Sequence, residues 1–294
     1  MNIISSKGGI DMRLFDVYHN HEEAHLDFKK RITNETIYEL ATQFELEPEY
    51  IIYLLLKFDI QKDPYVEQKI KEHYSNNHID SNITLVIADT HIGAYTEDIN
   101  LVACAYSYAY QHNIKNIIHL GDLVQSTLDT PNIKEKDIDK QLSKSLDIFK
   151  STPEINTHIL LGNHDYYLPV DKYEYLKQEL INLKNTIYLG RRYSYISLCD
   201  NDPIRLNHNI NCLCNELTPN LPVNLTLEGH HHEYYFEKYN QKNNIFVPQL
   251  SNPYGLPGFF IVETTGTEFI IKHIGITPQY TLKEKDIKVL KKEY

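Results

Sequence analysis

The chain lacks several features that would place it in other classes of protein. Its longest apolar runs, such as residues 51–56 and 83–88, are far shorter than the roughly 20 residues that span a bilayer, so we predict no transmembrane helix. No basic start followed by an apolar stretch and a small-residue cleavage site is present, which favours a cytoplasmic location. The 4 cysteines are too few and too irregularly spaced for a disulfide framework in 294 residues, and we expect reduced thiols.

Positive charge is also scarce, with 29 Lys and Arg residues against 40 Asp and Glu residues and a net charge of −11. Tight non-specific binding of long nucleic acid depends on basic side chains that neutralise phosphates, so this balance argues against it. The net negative charge does not exclude a metal-binding cleft that is locally positive. The hydrophobic fraction of 41% is ordinary for a folded protein, and the length allows one large core and a small second unit.

The pattern of residues divides the chain into three predicted segments. Residues 1–80 form a small all-α region that ends in a polar linker at residues 75–82, residues 81–276 form the main domain, and residues 277–294 form a lysine-rich helical tail. Short β-branched runs alternate with helical stretches in the main domain, which predicts an α/β sandwich of two packed mixed β-sheets flanked by helices.

The N-terminal region resembles a helix-turn-helix. Apolar residues from Ile37 to Phe44 lie on one helical face, Asn34 is a candidate N-cap, and Pro48 suits the first turn of a second helix. That second helix lacks the Arg, Lys, Asn and Gln side chains that read bases. The pattern therefore favours packing or the binding of a protein partner, with DNA reading as the alternative.

A second motif in this region, His21-Glu22-Glu23-Ala24-His25, fits the H-E-x-x-H motif of zinc metalloproteases, in which the two histidines bind zinc and the glutamate acts as base. Its surroundings are polar, and nothing nearby marks a third ligand. We interpret it as a solvated helix face.

In the main domain, five strand-like runs each end in residues that can bind metals. The run at residues 83–88 leads into Asp89 and His91, the run at 116–120 leads into Asp122, and the others lead into further members of the set. Functional groups of α/β domains collect at the carboxyl ends of strands, and a preceding glycine allows close backbone approach. The complete candidate set is Asp89, His91, Asp122, Asn163, His164, Asp165, His208, His230 and His232.

The ordered motifs D-x-H, G-D, G-N-H-D, a lone H and G-H-x-H resemble those of the calcineurin-like metallophosphoesterases, over roughly residues 83–273. The resemblance implies two divalent ions that share Asp122. One would be held by Asp89, His91, Asp122 and His232. The other would be held by Asp122, Asn163, His208 and His230.

The resemblance also implies roles for the remaining residues. Two adjacent cations lower the pKa of a bridging water, so a hydroxide would attack the phosphate in line. His164 would contact the phosphate and assist the leaving group, and Asp165 would orient its imidazole. We expect His231 to point outward and His119 to be an ordinary strand residue. The mixed ligands suit Mn²⁺ first, with Fe, Zn²⁺ or Ni²⁺ as alternatives, rather than Ca²⁺.

The substrate is predicted from the access to this site. The motifs follow one another without room for an inserted cap domain, so an open cleft would accept an extended phosphodiester such as nucleic acid or a nucleotide. Residues 243–263 look similar to the corresponding stretch of nuclease-like bacterial and phage members. Two alternatives stay open: a phosphomonoesterase with the same site, and a regulatory protein that works through its N-terminal helices.

Overall fold

The computed structural model describes most of the chain. The described residues are 21–43, 51–52, 54–55, 77–128, 130–191, 193–199, 203–208, 225–239, 242–251 and 255–292. The chain divides into two compact units, one of residues 1–76 and 212–221 and one of residues 77–211 and 222–294. Within the described parts of the chain, no helix is both long and apolar enough to cross a membrane.

The first unit is helical where it is described. Helix α1 spans His21–Ile32 and helix α2 spans Ile37–Gln43, while residues 51–52 and 54–55 are also helical and buried. The predicted N-cap at Asn34 is wrong. Thr36 and Glu39 form a capping box instead, because Thr36 Oγ1 accepts from the Glu39 amide (3.1 Å) and Glu39 Oε2 accepts from the Thr36 amide (2.7 Å).

Most of the second predicted helix lies outside the described residues, so the likeness to a helix-turn-helix stays a prediction. The segment His21–His25, which carries the metalloprotease-like motif, is part of α1. The side chains of these five residues are not among those that the structure describes.

The second unit contains thirteen strands among its described residues, arranged in two mixed sheets as predicted. The strands are β1 (His78–Ile79), β2 (Ile83–Ile87), β3 (Asn116–His119), β4 (Asn156–Leu161), β5 (Thr186–Arg191), β6 (Tyr193–Leu198), β7 (Ile204–Asn207), β8 (Leu225–Glu228), β9 (Tyr235–Tyr239), β10 (Lys242–Phe246), β11 (Gly258–Thr264), β12 (Glu268–Ile276) and β13 (Leu282–Lys291). The helices are α3 (Ile99–Gln111), α4 (Ile138–Lys150), α5 (Asn163–Tyr166) and α6 (Val170–Asn182).

The seven-stranded sheet has the order β13-β12-β11-β2-β3-β4-β5, and the six-stranded sheet has the order β1-β6-β7-β8-β10-β9. Strands β2 to β5 pair in parallel, so their carboxyl ends meet at one edge. In the second sheet β7 and β8 are also parallel neighbours. This arrangement places the loops after β2, β3, β4, β7 and β8 in position to build a single site.

Two hydrophobic clusters hold these layers together. One lies between the sheets and joins residues such as Val86, Ile118 and Leu160 to Leu206 and Leu227. The other covers the opposite face of the seven-stranded sheet with apolar residues of α3, α4 and α6. Each face of the central strands is therefore buried, which accounts for their continuous apolar sequence.

Two boundaries differ from the prediction. Strand β1 falls in the predicted linker and pairs with β6, with Ile79 buried, so the second unit begins at Asn77 rather than at residue 81. The predicted C-terminal helix is also wrong, because residues 282–291 form β13 and pair along the whole of β12. Its apolar residues suit a helical face locally, but the ladder with β12 satisfies the backbone and places Leu290 against the core between the sheets.

We expect Ile118→Ala to lower the free energy of unfolding by about 2–5 kcal/mol, because the side chain is fully buried between the sheets and its loss leaves a cavity. The matched control is Ile181→Ala in α6, where the side chain is 51% exposed and the expected change is within about 0.5 kcal/mol. Urea unfolding measures both changes. Equal losses in the two variants would contradict this assignment of the core.

Candidate metal centre

Five loops bring the predicted residues to one edge of the two sheets. Asp89 and His91 follow β2, Asp122 follows β3, and the other candidates follow β4, β7 and β8. Within the described residues, three groups have potential ligand atoms that all lie within 4.8 Å of one another. These groups are Asp89 with His91 and His232, His91 with Asp122 and His164, and Asp122 with His208 and His230.

Asp122 lies at the centre of this arrangement. Its Oδ1 accepts a hydrogen bond from the His164 amide (2.8 Å). Its Oδ2 is buried and, among the described residues, has no hydrogen-bond partner. That oxygen lies 3.0 Å from Nε2 of His208, outside hydrogen-bonding geometry, and 3.6 Å from Nε2 of His91. This oxygen is buried between two imidazoles and accepts no hydrogen bond from the described residues. A bound cation would compensate for its charge.

Backbone carbonyls fix the orientation of two histidine rings. The Leu120 carbonyl accepts from Nδ1 of His208 (2.5 Å), and the Gln125 carbonyl accepts from Nδ1 of His164 (2.8 Å). Because a carbonyl can only accept, each ring carries a proton on Nδ1 and leaves Nε2 to face the centre. Outer hydrogen bonds of this kind are typical of metal-binding histidines.

Other ligand atoms face each other at short distances. Nε2 of His91 lies 3.2 Å from Nε2 of His232, and Nε2 of His208 lies 3.1 Å from Oδ1 of Asn163. The Asp89 carboxylate accepts from the His230 amide through both oxygens, at 3.1 and 3.0 Å. Convergent nitrogen and oxygen atoms of this kind fit borderline divalent ions.

The backbone of the site is strained. Five candidate ligands adopt positive φ angles that are uncommon outside glycine: Asp89 (57°), His91 (45°), Asp122 (54°), His230 (77°) and His232 (65°). Such conformations cost free energy and persist where the surroundings enforce them, often at functional sites. Here the strained residues lie in the loops after β2, β3 and β8.

Burial dominates the electrostatics of the centre. It raises the pKa of Asp89 to about 8 and lowers the pKa of His91 to about 3 and that of His230 to about 4. Burial opposes the charging of Asp122 and His208 as well, but their contact raises the pKa of His208 and lowers that of Asp122. A bound cation would stabilise the anionic form of the buried carboxylates, while the low pKa values keep His91 and His230 neutral and able to bind metal.

The family described as calcineurin-like phosphoesterase matches residues 84–277, which contain every candidate ligand. The chain belongs to this family. It is therefore a metal-dependent phosphoesterase, and the matched residues include all three groups of potential metal ligands. Among curated protein sequences none matches this phosphoesterase significantly.

Several solved structures are similar to this phosphoesterase at low sequence identity. A predicted phosphoesterase from Streptococcus pneumoniae is 14% identical, with a TM-score of 0.42 over 71% of this chain and 97% of that chain. Yfce, a phosphoesterase from E. coli, is 14% identical, with a TM-score of 0.45 over 70% of this chain and 100% of that chain. Vacuolar Protein Sorting 29 from Cryptosporidium parvum is 15% identical, with a TM-score of 0.47 over 73% of this chain and 100% of that chain.

The role predicted for Asp165 in this phosphoesterase is wrong. Its two carboxylate oxygens accept from the backbone amides of Val124 (3.1 Å) and Gly162 (2.9 Å), so it joins the loops after β3 and β4. The His164 ring is oriented by the Gln125 carbonyl instead. Asp165 is fully buried, and burial raises its pKa to about 7.

The structure also places the histidines that were expected to lie outside the ligand set. His119 is buried in β3, where its Nε2 lies 3.3 Å from Oγ1 of Thr90 and its Nδ1 accepts from the Gly121 amide. His231 is exposed, and its Nε2 lies 3.6 Å from Oε1 of Glu228. Gln125 was missed by the sequence analysis, although its position three residues after Asp122 in the same loop was a usable signal.

Two glycines allow the loops to approach each other. Gly121 has a φ of +97°. Gly162 has ordinary backbone angles, but a Cβ atom there would lie 2.6 Å from Nε2 of His208 and would also overlap Oδ1 of Asp122. Because Gly162 has no Cβ atom, its backbone can lie directly against Asp122 and His208.

We expect Gly162→Ala to lose most of its divalent metal binding, because the methyl group must displace Asp122 or His208. Gly266→Ala is the matched control, since a Cβ there meets nothing within 4 Å. Isothermal titration with Mn²⁺ measures the affinity of each full-length protein. Wild-type affinity in Gly162→Ala would contradict the described geometry.

Proposed function

We propose that this phosphoesterase uses a dinuclear centre in which Asp122 bridges two divalent ions. One ion would be held by Asp89, His91, Asp122 and His232. The other would be held by Asp122, Asn163, His208 and His230. The observation that supports this most strongly is the buried Oδ2 of Asp122, which lies between the imidazoles of His91 and His208.

Two ions bound in this way would activate water and neutralise charge on the phosphoryl group. The chain's own residues would hold these ions, and the Leu120 carbonyl, which fixes a proton on Nδ1 of His208, would keep Nε2 of that ligand directed at the centre. The mixed nitrogen and oxygen ligands favour Mn²⁺ as the natural ion, with Fe, Zn²⁺ or Ni²⁺ able to replace it.

We further propose that the substrate is a phosphodiester of nucleic acid or of a nucleotide. The intervals between the motifs leave no room for an inserted cap domain. Three histidines at the site, His164, His230 and His232, are partly exposed, whereas Asp89 and Asp122 are fully buried. A substrate would therefore approach from the histidine side while the carboxylates stay shielded from water.

A manganese-supplemented substrate panel tests the substrate class. We expect faster hydrolysis of bis-p-nitrophenyl phosphate and single-stranded DNA than of p-nitrophenyl phosphate, because an open site accepts an extended diester. Values of kcat/KM for the full-length protein measure this preference. A strong preference for the monoester would overturn the proposal in favour of a phosphomonoesterase.

His164 is proposed to donate a proton to the leaving group. Its Nδ1 is occupied by the Gln125 carbonyl, so Nε2 is the atom available to the substrate. The ring of His164 lies edge-on to that of His91, with centroids 4.7 Å apart. A histidine next to a proposed metal ligand would be close enough to a bound phosphoester to act as its acid.

We expect His164→Ala to lower kcat by about 10²–10⁴-fold on an oligonucleotide, whose alkoxide leaving group needs a proton. The loss on bis-p-nitrophenyl phosphate should be much smaller, because nitrophenolate is a good leaving group. The comparison requires equal metal content in both proteins, checked by elemental analysis. Equal losses on the two substrates would contradict the role of His164 as an acid.

A further inference from the structure

We propose that Gln125 is a positioning residue that sets the tautomer of His91 and thereby prepares it to bind metal. The inference rests on the proposed role of His91 as a ligand. Gln125 is only 3% exposed and lies in the loop after β3, three residues beyond Asp122. Its side chain and its backbone together connect its own loop to the loops after β2 and β4.

The direction of the Gln125 amide follows from its partners. Its Nε2 donates to the Leu128 carbonyl (3.1 Å), and a carbonyl can only accept. Oε1 must therefore face Nδ1 of His91, which lies 3.0 Å away. An amide oxygen also only accepts, so His91 must carry its proton on Nδ1. Its Nε2 is then free of a proton and faces His232 and Asp122.

His91 differs in this respect from His164 and His208. Backbone carbonyls determine the tautomers of His164 and His208, and no side-chain substitution removes those acceptors. The tautomer of His91 depends on a side chain. A substitution of Gln125 therefore changes the tautomer of the proposed ligand His91 without removing the ligand itself.

The backbone of Gln125 connects the same residue to the rest of the site. Its amide donates to the Ile92 carbonyl (2.9 Å), which adjoins His91, and its carbonyl accepts from His164 (2.8 Å). One residue therefore orients a metal ligand through its side chain and the proposed acid through its carbonyl. The two effects can be separated, because a substitution removes only the first.

Gln141 provides a matched control from the same region. It is 1% exposed, its Oε1 accepts from the Ser126 amide (2.8 Å), and its Nε2 donates to the Glu135 carbonyl (2.6 Å). It therefore holds the next residue of the same loop through a buried amide. Its side-chain hydrogen bonds involve no candidate ligand, so Gln141→Met reports the cost of loosening the loop alone.

The experiment compares Gln125→Met, Gln125→Glu and Gln141→Met in the full-length protein. We expect Gln125→Met to weaken Mn²⁺ binding by about 10–100-fold, the usual effect of removing an outer partner of a ligand histidine. Gln141→Met should bind Mn²⁺ nearly as tightly as the wild type. Gln125→Glu keeps an acceptor for His91 and should lie closer to the wild type than Gln125→Met does.

A second measurement uses the metal-free proteins. Long-range ¹H–¹⁵N spectra of the histidine rings should show His91 protonated on Nδ1 in the wild type and in Gln141→Met, but not uniformly so in Gln125→Met. Unchanged Mn²⁺ affinity in Gln125→Met, or equal weakening in Gln125→Met and Gln141→Met, would overturn the inference. Failure of the wild type to bind Mn²⁺ would count against the proposed function instead, and the metal-free spectra would still test the tautomer.

Discussion

The structure of this site depends on the burial of one carboxylate, that of Asp122, between loops from two sheets. Its Oδ1 is fixed by the His164 amide, while its Oδ2 faces the imidazoles of His91 and His208. A carboxylate in this position is costly unless positive charge is close by. The surrounding residues reduce that cost, since contact with His208 lowers the pKa of Asp122 against the effect of burial. A bridging role between two cations would satisfy the same constraint more fully.

The position of Asp122 follows from the layers beneath it. Parallel pairing of β2, β3 and β4 places the loops that carry Asp89, Asp122 and Asn163 side by side. The second sheet adds His208 from β7 and the histidines after β8, and the apolar cluster between the sheets fixes the two edges together. Positive φ angles at five candidate ligands show that this tertiary framework enforces a local backbone that the residues would not adopt alone.

Much of this arrangement could be predicted from the sequence, because apolar runs that end in Asp, Asn or His mark both the strands and their functional ends. The runs at residues 83–88 and 116–120, for example, were predicted as strands and form β2 and β3. Strand β13 was not, since a lysine-rich segment with apolar residues at helical spacing gives no local sign that β12 offers a free edge. Pairing with the preceding strand, β12, decided the outcome there rather than the helical spacing within the segment.

Within the site, residue types were more predictable than their contacts. The sequence indicated that His164 is followed by a carboxylate, but it could not show that Asp165 turns to the amides of Val124 and Gly162. The position of Gln125 close after Asp122 could be read from the sequence, but its contacts could not. Glutamine is not a typical ligand, and its importance arises from the Leu128 carbonyl and His91, which only the folded loop brings to its two ends.

Anomalous diffraction from crystals grown with Mn²⁺ tests the central claim about Asp122 most directly. A dinuclear site predicts two manganese peaks about 3.5–4 Å apart, with the Asp122 carboxylate bound to both. One peak should adjoin Asp89, His91 and His232, and the other should adjoin Asn163, His208 and His230. A single peak in saturating Mn²⁺, or two peaks of which only one contacts Asp122, would contradict the bridging role.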